Sequence, residues 1–141
     1  MDKILILAGG YSNEREISLI TAKSVIHELK KNKKYKLLLI EPDGSFVKKL
    51  RKFKPDLVLN LLHGRYGEDG YIQSVLESEK VKYSHSGVLS SSLAIDKELS
   101  KKIFIKNNIL TPPYIKFSFK NNLNVKNIIK KIDKKLKFPV V

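Results

Sequence analysis

Apolar runs alternate with amphipathic stretches from the first residues onward. "KILILA" (3–8) is an unbroken apolar run, the pattern of a strand buried on both faces. "REISLITAKSVIHELKK" then places Ile17, Ile20, Val25, Ile26 and Leu29 at near-helical spacing, which predicts a helix with those residues inward. Ser12 or Asn13 can cap its first turn, and Glu14 and Glu16 suit the positive end of its dipole. A second strand is predicted at "YKLLLIE" (35–41), a turn at "PDGS", a short helix at "FVKKLRKF" and a third strand at "PDLVLNLLH" (55–63). The glycine-rich loop "GRYGEDG", a helix at "YIQSVLESEK" and a short fourth strand at 81–86 follow.

Strands alternating with helices give βαβ units, so the expected fold is α/β with a doubly wound parallel sheet. In such a sheet the loops after the first and third strands face each other across the switch-point crevice. Here those loops are "GGYSNERE" and "HGRYGEDG". Beyond residue 86 the pattern changes. One or two helices are expected through "GVLSSSLAIDKELSKKIFIKNN", with Asp96 as an N-cap and Asn107–Asn108 as a stop. A strand is expected at about 114–119. An amphipathic helix follows with Val125, Ile128, Ile129, Ile132 and Leu136 on one face, and "FPVV" opens a further strand.

Charge sharpens the division of the chain. The formal net charge is +14, and from Lys97 onward twelve lysines face only Glu98 and Asp133. That shift suggests two domains, 1–95 and 96–141. The basic residues are nearly all lysine, with arginine only at 15, 51 and 65. Nucleic-acid readers favour arginine for its bidentate fork, so the charge is read as solvated surface and no nucleic-acid partner is expected. There are no cysteines, which excludes disulfides and thiolate metal sites. No signal-peptide pattern and no long apolar span appear, so the expectation is a soluble, cytoplasmic protein without a membrane partner.

The two facing loops carry the candidate chemistry. "GGYSNERE" lacks the glycine spacing of a dinucleotide fingerprint and carries Glu14, whose carboxylate repels phosphate and suits an ammonium group. Glu14 and Glu16 as ordinary first-turn acids are the plainer alternative. In the second loop His63 ends a buried strand, and Gly64, Gly67 and Gly70 free the backbone to present N–H groups to an anion. Glu68 and Asp69 are spaced to cap the next helix or to orient His63, whereas a metal site lacks enough partners. An acid, a histidine and backbone donors in one crevice match a zwitterion, which points to an amino acid.

These same residues resemble the D-alanine–D-alanine ligases, an ATP-grasp family. "HGRYGEDGYIQS" fits that family's H-G-x-x-G-E-D-G stretch, "GGYSNEREISL" resembles its G-G-x-S-x-E-R-E-x-S opening, and "YSHSGVLSSSLAIDKELSKKIF" resembles its Y-x-G-S-G-V segment ending in Asp-Lys. His85 departs from the pattern, where glycine is usual. The resemblance implies a Rossmann-like pre-ATP-grasp domain followed by the start of an ATP-grasp central domain. It implies a ligase that joins two D-alanines through an acyl phosphate, using ATP and Mg2+, for peptidoglycan and the cell wall. Carried over, Glu14 would be catalytic, holding the first D-alanine's ammonium; His63 would lie near its carboxylate, supported by Glu68 as a further substrate-site residue, with Ser18 near the same pocket. Lys97 would reach toward ATP, its plainer alternative being an exposed helix lysine. The metal ligands and the groups that choose D-alanine or D-lactate as second substrate fall after "FPVV" in the family, so these 141 residues are expected to be an N-terminal portion without ligase activity alone. The resemblance also suggests a homodimer. The competing expectation is a free-standing amino-acid-binding module.

Overall fold

In the computed structural model, residues 1–117, 124–137 and 139–140 are described below. They form two compact units, Met1–Asp96 and Lys97–Val141. In the first unit three strands make a parallel sheet in the order β2-β1-β3: β1 Asp2–Leu7, β2 Tyr35–Ile40 and β3 Leu57–Asn60. β1 is central, with Ile4 opposite both Leu37 and Leu57 and Leu7 opposite both Ile40 and Asn60. Its alternation of side chains explains the unbroken apolar run. Leu5 and Leu7 point into one core with Phe46, Leu50, Val58, Ile72 and Leu76, while Ile4, Ile6 and Ala8 point into another with Ala22. Each fully buried leucine, isoleucine or valine among them contributes about 2 kcal/mol.

The connections are helices α1 (Arg15–Lys30), α2 (Phe46–Phe53) and α3 (Tyr71–Ser78), with α4 (Val88–Ile95) closing the unit. Asp43 organises the turn before α2. Its carboxylate accepts from the Ser45 N–H (2.8 Å) and hydroxyl (2.6 Å) and from Lys49 Nζ (2.9 Å). The Ser45 hydroxyl, then Lys49, hold its pKa down at about 2.

Two expectations change here. The inward face of α1 is Ser18 and Ala22, with Leu19, Ile26 and Leu29 packed beside them, whereas Ile17 and Ile20 are more than half exposed. A tight helix-on-sheet approach needs small residues at the contact line, so serine and alanine take it. The fourth strand shrinks to one parallel bridge, Val58 with Tyr83, bonded through the Val58 N–H to the Lys82 carbonyl (2.8 Å) and the Ser84 N–H to the Val58 carbonyl (2.9 Å). Positive φ at Lys80 (55°) and His85 (108°) turns the chain out of extended geometry on both sides.

The His85 value also accounts for the glycine expected there, since φ of 108° lies outside what L side chains adopt comfortably. His85 is exposed, so its removal loses little packing. His85→Gly is expected to stabilise the first unit by about 1 kcal/mol, seen as a higher urea midpoint. A lower midpoint would show that the imidazole compensates for the strain.

The second unit holds α5 (Lys97–Lys106) and α6 (Val125–Lys135). Asp96 is the extended residue (ψ 102°) between α4 and α5, and Asn108 (φ 57°) follows the end of α5. Asn124 caps α6, accepting from the Lys126 and Asn127 N–H groups. Of the face expected on α6, Ile128, Ile132 and Leu136 are half-buried, and Val125 and Ile129 are exposed. The strand expected at 114–119 is not formed at 114–117, and its remainder lies outside the described residues. In "FPVV" only Pro139 and Val140 are described, and neither is in a strand. Among the described residues no helix is long and apolar enough to cross a membrane.

Candidate functional site

The order β2-β1-β3 sets the loops after β1 and β3 side by side at the carboxyl ends of the strands, as expected for a switch point. Two serines join them. Ser18 is fully buried; its hydroxyl donates to the Leu61 carbonyl (2.6 Å) and accepts from the Gly9 N–H (2.8 Å), tying the roots of both loops. Ser12 ties them further out, donating to the His63 carbonyl (2.7 Å). Ser18 was expected near a ligand pocket; its hydroxyl bonds the Gly9 N–H and the Leu61 carbonyl, and Gly9 lines the hollow beside His63.

Glu14 occupies the N-cap position of α1 and is exposed. Its carboxylate lies against Gly64, the residue after His63: a Cβ there would sit 2.5 Å from Glu14 Oε2. Gly64 also has φ +69°, so glycine answers two demands at once. His63 is half-buried, with Nε2 3.4 Å from the Thr21 hydroxyl. Because the Thr21 hydroxyl is placed to donate to the Ile17 carbonyl (3.0 Å), it meets the imidazole as an acceptor.

Glu68 accepts from the Gly64 N–H (2.7 Å), so it shapes the loop backbone next to His63. Asp69 takes the capping role, accepting from the Tyr71 N–H (3.1 Å) and the Tyr66 N–H (2.9 Å). The acid and the histidine, expected in one crevice, line two neighbouring hollows. Glu14 lines one of about 520 Å3 with Ser12 and Asn13, and His63 lines another of about 380 Å3 with Gly9, Gly10 and Leu62. Tyr11, Arg65 and Tyr66 border both, with the Arg65 guanidinium 5.0 Å from the Tyr66 ring centre. Lys97 is exposed at the first position of α5, in the second unit.

Several supports of the site escaped the sequence reading. Arg15 makes a bidentate pair with Glu41 at the end of β2 (3.0 and 2.7 Å), and the Glu41 carboxylate packs over Gly9, where a side chain would collide. Asn60 and Gln73, both buried, donate to the Gly67 carbonyl (2.8 and 2.9 Å). Polar residues inside the otherwise apolar "LVLNLL" and on the buried side of α3 were the available signal.

The site therefore presents an exposed carboxylate beside a glycine backbone, with an imidazole lining the neighbouring hollow and an arginine bordering both. Residues 3–56, which include Glu14, match the family model described as the D-ala D-ala ligase N-terminus. A D-alanine–D-alanine ligase of Pelagibacter ubique is 62% identical over 139 residues, covering 99% of this chain and 45% of that protein. By sequence, this chain is similar to D-alanine–D-alanine ligases over nearly all of its length. The Carboxydothermus hydrogenoformans D-alanine–D-alanine ligase is 45% identical over the same share of the chain. This chain spans a little under half the length of both relatives. The Bacillus anthracis D-alanine–D-alanine ligase, solved in complex with ATP, superposes with a TM-score of 0.73 at 36% identity, over 92% of this chain and 44% of that one. A Vibrio cholerae D-alanyl-alanine synthetase A, at 22% identity and a TM-score of 0.74, shares the fold over 94% of this chain and 46% of that one.

Proposed function

We propose that this chain supplies the receiving site for the first D-alanine of a ligase that joins two D-alanines for peptidoglycan synthesis. The observation that carries the reading is the exposed Glu14 carboxylate held against Gly64, with His63 one residue away. An ammonium group placed over Glu14 meets a fixed negative charge at short range. The substrate's carboxylate then faces the His63 and Arg65 side. Residues 1–95 form the substrate-binding part in this reading, and residues 96–141 begin the ATP-grasp part, with cytoplasmic location and a homodimer as the setting.

In this reading ATP would supply its γ-phosphoryl group to the first D-alanine's carboxylate, releasing ADP, and the second D-alanine's amine would displace inorganic phosphate from the acyl phosphate and lose a proton as the amide forms. For the nucleotide this chain offers Lys97, exposed at the start of α5. Among the described residues no three His, Cys, Asp or Glu side chains converge as ligands for Mg2+.

A chimera tests the reading. These 141 residues replace the matching segment of the Pelagibacter ubique ligase, and phosphate release with ATP, magnesium and D-alanine is compared with that of this chain alone. D-alanine-dependent phosphate release and dipeptide formation by the chimera are expected. A folded chimera that binds D-alanine yet forms no dipeptide would favour the binding-module alternative.

A further inference from the structure

We infer that Ser12 is a positioning residue whose hydroxyl sets the Glu14 carboxylate in place for an amino-acid ammonium group. A hydroxyl has one proton to give and lone pairs to receive. Ser12 gives its proton to the His63 carbonyl (2.7 Å) and receives the Glu14 N–H (3.1 Å). The backbone carbonyl of Ser12 also receives the Arg15 N–H (3.2 Å), so the residue shapes the entry to α1 twice. One small side chain thus sets the backbone of the proposed acid relative to the backbone of the proposed histidine. The Glu14 carboxylate lands on Gly64, one residue beyond the carbonyl that Ser12 holds. Ser12 touches no ligand in this reading; it acts through Glu14.

Ser18 shows what a purely structural serine does in the same fold. It is fully buried, and alanine there would leave the Gly9 N–H and the Leu61 carbonyl without their partner. Ser12 is only half-buried, and water can replace its bonds when the hydroxyl is removed. Loss of the Ser12 hydroxyl therefore reads out in where Glu14 points, and loss of the Ser18 hydroxyl in stability.

The inference rests on the D-alanine reading above, so its test separates the two. The full chain, labelled with 15N, is titrated with D-alanine and followed by NMR, alongside urea unfolding. Ser12→Ala is expected to weaken D-alanine binding about tenfold, the scale of one well-placed hydrogen bond, with an unchanged urea midpoint. Ser12→Thr, which keeps the hydroxyl, should restore affinity to within about twofold of the parent. Ser12→Ala binding like the parent, or Ser12→Thr as weak as Ser12→Ala, overturns the positioning role. Glu14→Gln is the discriminating arm. If it weakens binding while Ser12→Ala does not, only the positioning role fails. If Glu14→Gln binds like the parent, or the parent does not bind D-alanine, the D-alanine reading fails and the positioning role with it.

Discussion

Gly67→Ala is expected to destabilise the first unit by about 3 kcal/mol, the upper range for forcing an atom into a packed site. The new Cβ would collide with Leu62 Cβ and lie 3.1 Å from the Leu62 carbonyl carbon and 3.3 Å from its Cα. Two of these neighbours are backbone, so no side-chain rotation relieves the contact. Any shift of the loop also pulls the Gly67 carbonyl from the Asn60 and Gln73 amides, which donate to it from inside the core. Stranding buried amides adds to the steric cost. Urea unfolding of the whole chain measures the effect. Gly44→Ala is the control, because a Cβ there meets nothing within 4 Å. Equal midpoints for both variants would mean that the glycine loop yields freely, and the site would lose its rigid frame.

Glu14→Gln is expected to weaken D-alanine binding about tenfold with little change in ATP binding. The magnitude lies between two regimes. Exposed ion pairs contribute up to about 1 kcal/mol, whereas desolvated pairs at interfaces reach 2 kcal/mol or more. Glu14 is exposed in the free chain and becomes partly shielded only when a ligand covers it, so about 1.4 kcal/mol is the reasonable middle. The amide keeps the shape of the carboxylate and removes its charge. The check is the D-alanine concentration dependence of phosphate release in the chimera, with the ATP dependence as internal reference. An unchanged D-alanine dependence would return Glu14 to the role of a first-turn acid that stabilises α1.

Much of the site was legible along the chain because its parts are local. Glycines cluster where the backbone must take positive φ, as at Gly9 (82°), Gly10 (83°), Gly64 (69°) and Gly70 (95°). The acids beside them sit at helix starts, where the dipole favours them. The topology brought the two loops together as expected. The partners of individual side chains were less legible. Glu68 had two destinations within reach by spacing, and it took neither, bonding the Gly64 N–H. Ser18 was a pocket candidate by its place in the motif, and its bonds to Gly9 and Leu61 appeared only with the fold. The α1 face was misread because periodicity counts apolar residues, while close packing on a sheet selects small ones such as Ser18 and Ala22.

Hydrophobic periodicity was enough to specify the three parallel strands, the helices between them and the meeting of the β1 and β3 loops, because strand and helix repeats are written into consecutive residues. The pairings between separate elements could not be read that way. Arg15 with Glu41, Ser12 with His63, and Asn60 with Gln73 on one carbonyl exist only once the sheet has closed, since a hydrogen bond depends on distances that folding sets. The shape of the receiving site belongs to that second class: its carboxylate comes from one end of the motif order, its glycine floor from another, and the packed sheet between them decides how far apart they stand.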